Sequence, residues 1–273
     1  MKTLIIHNLK PHKSIEHKRK NKNPNLGTRA EEKEGKEEVN TKGGANGGSR
    51  SALTLISSGP ADRQLQFFLH CYQTATKSKL SPLELETYEE HCMVELAEGV
   101  DQDVENFSDH IKEAFGVLWK EELCEAKELG GYVEVGSPTL LVISISALRS
   151  LELLRGLKPF TKDCRPAKLF AKHLKVEEQV NLLKAQVNIA CGTPSRIKKL
   201  IDMEALSLKR LKLVVLDMQR DAKSFSLFTL PQVSAEFWDL YKTCLEEKVT
   251  RGDTRICFYG AVSNKEINKA FKE

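Results

Sequence analysis

The chain has 273 residues, 40% of them hydrophobic, with 42 Lys and Arg against 38 Asp and Glu, which allows one or two domains with a sizeable buried core. The basicity belongs to one end, because residues 1–62 carry 12 basic against 7 acidic side chains and the remainder has a net charge of −1. Seven scattered cysteines without a C-x-x-C pair, seven histidines without ligand spacing, a longest apolar run (Leu140 to Leu148) broken by Ser144 and Ser146, and only Leu4-Ile5-Ile6 at the start exclude a zinc module and a membrane span and point to a soluble intracellular protein with no metal, no cofactor and no membrane partner.

Residues 1–62 have few large apolar side chains, no helical or strand period and the flexible stretch Gly43 to Ser49, so they are expected to form a disordered charged tail. Within it Lys18-Arg19-Lys20-Asn21-Lys22 reads as a short nuclear localisation patch, or as a plain solvated tail. Helical spacing begins with Leu65, Phe68, Leu69 and Tyr72, and resumes with Leu85, Tyr88, Cys92 and Leu96 after Ser81-Pro82, a capping residue followed by a first-turn proline. A third stripe holds Ile111, Phe115, Leu118, Trp119 and Leu123. Residues 63–130 are therefore expected to be a helical extension of the folded domain.

From 131 to 273 strands and helices alternate. Expected strands are Thr139 to Ile145, Ala167 to Phe170, Val187 to Ala190, Leu213 to Leu216 and Arg255 to Tyr259. Between them lie expected helices over Ser146 to Leu157 (face Leu148, Leu151, Leu154), Val176 to Lys184, Thr193 to about Met203, and Ala235 to Glu247. Near-continuous apolar strands separated by helices imply a buried, mostly parallel sheet, and in such sheets binding residues gather just beyond the carboxyl ends of the strands.

Three segments at those ends form an ordered series. Ser144-Ile145-Ser146-Ala147-Leu148-Arg149 resembles a reduced form of the Pro-Thr-Arg-Glu-Leu element of DEAD-box proteins, Gly192-Thr193-Pro194-Ser195-Arg196 resembles their Thr-Pro-Gly-Arg element, and Leu213 to Asp221 resembles their Val-Leu-Asp-Glu-Ala-Asp element with Asp217 kept and Met218 in the glutamate position. The residues of the second segment also have legible chemistry of their own. Thr193 can cap a helix, Pro194 fits its first turn, and the exposed amides there suit an anion, with Arg196, Lys198 and Lys199 adding positive charge. Hydrolysis of a nucleotide would need a phosphate loop with Lys and Ser or Thr, yet Gly43 to Gly48 continues Ser49-Arg50 and Gly131 to Gly136 continues Ser137-Pro138. Ala261-Val262-Ser263 is only loosely similar to the family's Ser-Ala-Thr, and with ten residues after it no second domain with an arginine finger is expected.

Together with Leu148 to Arg155 and Lys168 to Lys175, these segments resemble the CMS-one-like family, DEAD-box-related proteins of small ribosomal subunit assembly, over about residues 64 to 260. The resemblance implies an α/β fold, a single RecA-like domain of the P-loop-NTPase type with a mostly parallel sheet (131–273), preceded by the helical extension and the disordered tail. It also implies a nucleolar protein of the early pre-ribosome. The expected function is a non-catalytic ribosome biogenesis factor without catalytic residues, working as a monomer within a large assembly. Its partners would be pre-ribosomal RNA and small-subunit processome proteins. Candidate RNA-backbone contacts are Arg149, Thr193, Ser195, Arg196, Lys198, Lys199, Lys172 and Lys175, supported by the basic run Lys158, Lys162, Arg165 and Lys168. The alternatives are a pure protein scaffold, with partners docked on the helices before Gly130, and a divergent ATP-dependent RNA helicase.

Overall fold

A computed structural model describes residues 52–125 and 134–271. The expectations for residues 1–51, the localisation patch among them, and for the Gly130 boundary lie outside the described residues.

The folded unit begins earlier than residue 62. Strand β1 (Leu53–Thr54) pairs antiparallel with a strand near the other end of the chain, Leu53 opposite Ser263, and Ile56 is only 5% exposed in the core. A partner some 210 residues away leaves no trace in local composition. Helix α1 (Ala61–Thr76) buries Leu65, Phe67, Phe68 and Tyr72. Helix α2 (Pro82–Leu85) starts as expected, with a reciprocal capping box between Ser81 and Glu84. It lasts one turn instead of running to Leu96, because Met93 forms a parallel bridge to Ile256 and the Val94 amide donates to the Ile256 carbonyl at 2.8 Å. An open sheet edge has captured a segment whose apolar spacing alone favours helix. The third apolar stripe is divided into α3 (Phe107–Phe115) and α4 (Trp119–Leu123) by Gly116 at φ +58°, a conformation glycine adopts without steric cost.

The alternating region follows as β2 (Leu140–Ile143), α5 (Ala147–Gly156), β3 (Ala167–Leu169), α6 (Val176–Leu182), β4 (Ile189–Gly192), α7 (Pro194–Asp202), β5 (Leu213–Asp217), α8 (Pro231–Leu240), α9 (Glu246–Thr250), β6 (Arg255–Tyr259), β7 (Val262–Ser263) and α10 (Asn264–Ala270), with a π-helical turn (Tyr241–Leu245) joining α8 to α9. The buried face of α5 is Arg149, Ser150, Leu153 and Leu154, while Leu148 stands exposed, so the expected stripe is rotated by one position.

Strands run β3-β4-β2-β5-β6, all parallel, and β1 pairs with β7 in a separate ribbon. This is the expected α/β class. Because side chains alternate across a strand, β2, β4, β5 and β6 each feed two cores, while the edge strand β3 feeds one. Leu141, Ile143, Ala190, Val214, Leu216, Ile256 and Phe258 join the core with α1, α7 and α8. Leu140, Val142, Ile189, Cys191, Leu213, Val215, Cys257 and Tyr259 join the one with α3, α4 and α5. The early helices are thus layers of the core: Phe68 meets Tyr241 at 4.9 Å and Trp238 at 5.3 Å between ring centroids. Among the described residues no helix is long and apolar enough to cross a membrane and no His, Cys, Asp or Glu cluster could hold a metal. All seven cysteines are free thiols, with Cys92, Cys191 and Cys257 buried and the other four partly exposed.

Candidate nucleic-acid interface

The carboxyl ends of the parallel strands bring the expected elements to one rim of the sheet. After β2, Ser146 caps α5 by accepting from the Arg149 amide, and Ser144 and Ser150 share a buried hydroxyl contact of 2.7 Å. Arg149 does not reach the surface. It is 7% exposed, its Nε lies 3.1 Å from both oxygens of Asp217, its Nη2 lies 3.0 Å from Asp217 Oδ1, and its Nη1 reaches Glu152 at 3.3 Å. This removes Arg149 from the candidate RNA contacts, since its guanidinium is buried and bonded to the buried Asp217 and the part-exposed Glu152. Burial pushes the Asp217 carboxyl from its ordinary 3.8 up to about 6, with Arg149 pulling the other way. Met218, in the glutamate position, is buried in the core.

Beyond β4, Gly192 presses against Leu169, whose carbonyl oxygen would lie 2.0 Å from any Cβ, so no larger residue fits between β3 and β4. Thr193 occupies the N-cap of α7 with extended backbone, but its side chain makes no capping bond, and the expected capping role is corrected to a backbone one. Ser195 is exposed. Arg196 is half-buried and its Nη1 donates to Gln179 Oε1 at 2.6 Å and to the Leu174 carbonyl at 3.2 Å. Lys198 pairs with Asp202 at 2.7 Å, and the cleft beside it mixes Ser195, Lys198 and Lys199 with Asp202, Glu236 and Asp239.

Three expected lysines remain outward. Lys199 on α7, and Lys172 and Lys175 on the loop between β3 and α6, are exposed and in no ion pair among the described residues. Lys158, Lys162, Arg165 and Lys168 are exposed as well, Lys168 standing between the buried Ala167 and Leu169. Lys162, Arg165, Lys168, Lys172 and Lys175 thus lie on β3, the edge strand, and on the loops either side of it, while Lys199 lines the α7–α8 cleft with Asp202, Glu236 and Asp239.

At the opposite edge lies a feature the sequence reading missed. Met93 and Val94 bond to Ile256 of β6, the Leu96 amide bonds to the Ser57 carbonyl, loop 97–106 follows, and α3 begins at Phe107, so an extended segment, a loop and a helix follow one another as they do around a phosphate-binding loop. This loop holds one glycine, Gly99, no lysine, and the carboxylates Glu98, Asp101, Asp103 and Glu105. It is tied down over the strand ends: Gln102 Oε1 accepts from the Gly260 amide and from Ser57 Oγ, both at 2.8 Å, and the Tyr259 hydroxyl donates to the Asp103 carbonyl at 2.6 Å. The signal available in sequence was the break in helical period between Leu96 and Phe107, filled by Gly99 and acids. Of the glycine pairs considered as a phosphate loop, Gly43, Gly48 and Gly131 lie outside the described residues. Val262–Ser263, the segment similar to Ser-Ala-Thr, forms β7, and Ser263 caps α10.

Residues 10–259 match the model of the CMS1 family, described as U3-containing 90S pre-ribosomal complex subunit. The chain is 39% identical over 139 residues to Protein CMSS1 of Xenopus laevis, 50% of each chain. It is 30% identical over 203 residues to Protein CMSS1 of Danio rerio, covering 74% of this chain and 65% of that one. It is also 37% identical over 132 residues to Protein cms1 of Schizosaccharomyces pombe, 46% of this chain and 47% of that one. The chain thus spans about half the length of the frog and fission-yeast relatives and under two thirds of the zebrafish one. Two solved structures are also similar, a DEAD box protein from the hyperthermophile Methanococcus jannaschii (19% identity, TM-score 0.36, 60% of this chain and 39% of that one) and S. cerevisiae dbp5 l327v bound to nup159, gle1 h337r, ip6 and adp (15% identity, TM-score 0.38, 76% and 48%). With most of its length matched, the chain belongs to the CMS1 family of U3-containing 90S pre-ribosomal complex subunits.

Proposed function

We propose that the protein is a non-catalytic ribosome biogenesis factor that works in the nucleolus as a monomer within the small-subunit pre-ribosome, holding RNA backbone against the β3 edge of its sheet. The observation that carries this reading is the contrast between the two edges of the sheet: carboxylates and a closed loop over β6, and beside β3 the exposed Lys172 and Lys175, in no ion pair among the described residues. A nucleotide would need amides and a lysine around its phosphates, and loop 97–106 offers carboxylates at that place, which supports a subunit without ATP turnover. Pre-ribosomal RNA and processome proteins are the partners this implies.

The contacts would be electrostatic and largely independent of sequence, so affinity for a single-stranded RNA should fall steeply with salt, log K changing by about −0.7 per log unit of salt for each phosphate held. Flat salt dependence of the full chain would sink the RNA reading, and ATP turnover abolished by Asp217→Asn would sink the non-catalytic one.

A second reading, a protein scaffold without direct RNA contact, is favoured by Val117 at 96% and Leu118 at 52% exposure beside α4, apolar side chains suited to a protein partner. Charge reversal at Lys172, Lys175 and Lys199 discriminates the two: RNA crosslinking lost with pre-ribosome association kept supports the first, and RNA crosslinking unchanged supports the second.

A further inference from the structure

Strand β3 is an edge strand, so the carbonyls it turns away from β4 need other donors. The Leu169 carbonyl faces β4 and accepts from the Thr193 amide at 3.0 Å. Those of Lys168 and Phe170 face outward, and both are taken by the side-chain amide of Gln179, whose Nε2 lies 2.6 Å from the first and 3.0 Å from the second. Gln179 comes from α6 and is 1% exposed. Its two donors are thereby used, and its oxygen is left as a buried acceptor that needs a donor of its own.

That donor is Arg196. Its Nη1 gives to Gln179 Oε1 at 2.6 Å and to the Leu174 carbonyl at 3.2 Å, so one guanidinium on α7 grips both the capped edge and the loop leading away from it. The loop is a tight one. His173 sits at φ +59°, in the left-handed region, and the Leu174 amide returns to the Ala171 carbonyl at 3.3 Å. Lys172 and Lys175 project from this turn into solvent. The arrangement also blocks strand addition at the edge, because the carbonyls an incoming strand would need are already satisfied.

We infer that the loop 171–175 is the element that meets RNA phosphate, through Lys172 and Lys175, and that Arg196 is its positioning residue, acting through Gln179 and Leu174 instead of touching phosphate itself. This rests on the RNA-binding reading above. For Arg196 to turn Nη1 to a phosphate it would give up both Gln179 Oε1 and the Leu174 carbonyl, and leaving a buried acceptor unpaired is costly.

The test uses the full chain, a single-stranded oligoribonucleotide of mixed sequence, and limited trypsin digestion, which cuts after Lys172 and Lys175. Arg196→Met keeps the aliphatic stem and removes every donor. It is expected to raise the rate of cutting at these two bonds about tenfold and to reduce the salt slope of RNA binding by about 1.4, the contribution of two phosphate contacts. Lys172→Ala/Lys175→Ala should show the same slope, and adding Arg196→Met to that pair should lower it no further. Gln179→Met, at a position that cannot reach RNA, should reproduce the effects of Arg196→Met. If it does not fold, the Arg196→Met and triple-variant slopes still decide.

A slope loss of about 0.7 for Arg196→Met, additive with the lysine pair and with tryptic rates unchanged, would show a direct phosphate contact and overturn the inference. If the wild-type chain binds no RNA, the reading of the preceding section fails instead. The tryptic rates then decide alone whether Arg196 holds the loop, and unchanged rates overturn that as well.

Discussion

The rim over β6 and the rim over β3 are each crossed by a loop that leads from extended chain into a helix, yet they have opposite character. Over β6 the loop 97–106 carries four carboxylates and is closed by the Gln102 bridge to Gly260 and Ser57. Inward of it, the Arg149–Asp217 pair joins α5 to the end of β5. Over β3 a short turn carries Lys172 and Lys175 outward, held from below by Arg196 and Gln179. The difference teaches that motif arginine and surface charge are separated here: both motif arginines are bonded within the protein, and the exposed positive charge beside β3 comes from Arg165 and lysines outside the three motif segments.

The largest effect is expected from breaking the sealed side. Arg149→Ala leaves the Asp217 carboxylate buried without its partner and should lower stability by about 3–5 kcal/mol, read as a fall in the urea midpoint. On the basic side, Lys172→Glu/Lys175→Glu/Lys199→Glu should weaken RNA binding about a hundredfold at 0.1 M salt, on the scale of about three lost phosphate contacts, while leaving the urea midpoint unchanged because all three are exposed. Gln102→Ala orphans the Gly260 amide and should cost about 1–3 kcal/mol, with hydrogen exchange at Gly260 accelerated and RNA affinity unaltered. If RNA affinity fell with it, the two rims would not be independent.

A smaller effect concerns pH. The Asp217 carboxyl has its pKa raised from 3.8 to about 6 by burial. As pH falls through about 6 the native state takes up a proton that the unfolded chain does not yet bind. This group alone therefore makes the fold more stable as pH drops from 7 toward 4, and less stable as pH rises through 6. Comparing urea midpoints at pH 7 and pH 5 should show a rise on acidification that Asp217→Asn abolishes. The smallest effect is expected for Lys198→Ala, which removes an exposed i,i+4 pair with Asp202 and should change stability by less than about 1 kcal/mol.

Much of the sheet was legible because a parallel strand buried on both faces has to be an apolar run. Leu140–Ile143, Leu213–Asp217 and Arg255–Tyr259 were recognisable on that ground, as was α7 after Thr193-Pro194. The residues read wrongly share a different cause. Leu85 to Leu96 has helical spacing, but β6 offered it unpaired backbone groups, and Met93 and Val94 took them. Leu53 and Thr54 look like tail until Val262 and Ser263 pair with them. Leu148 fitted a stripe, yet Arg149 turned inward because Asp217 lay there to meet it.

By itself, then, the sequence determined the class of the fold, the order of its strands and helices along the chain, the family to which it belongs and the lysines that face water. These follow from local burial pattern and residue type, which short stretches of chain carry on their own. Only the tertiary structure decided which arginines are occupied, which edge of the sheet is covered by an acidic loop, and which carries exposed lysines over a capped strand. Those outcomes depend on partners tens to hundreds of residues apart, and a buried hydrogen-bonding group takes whichever partner the packing brings within reach.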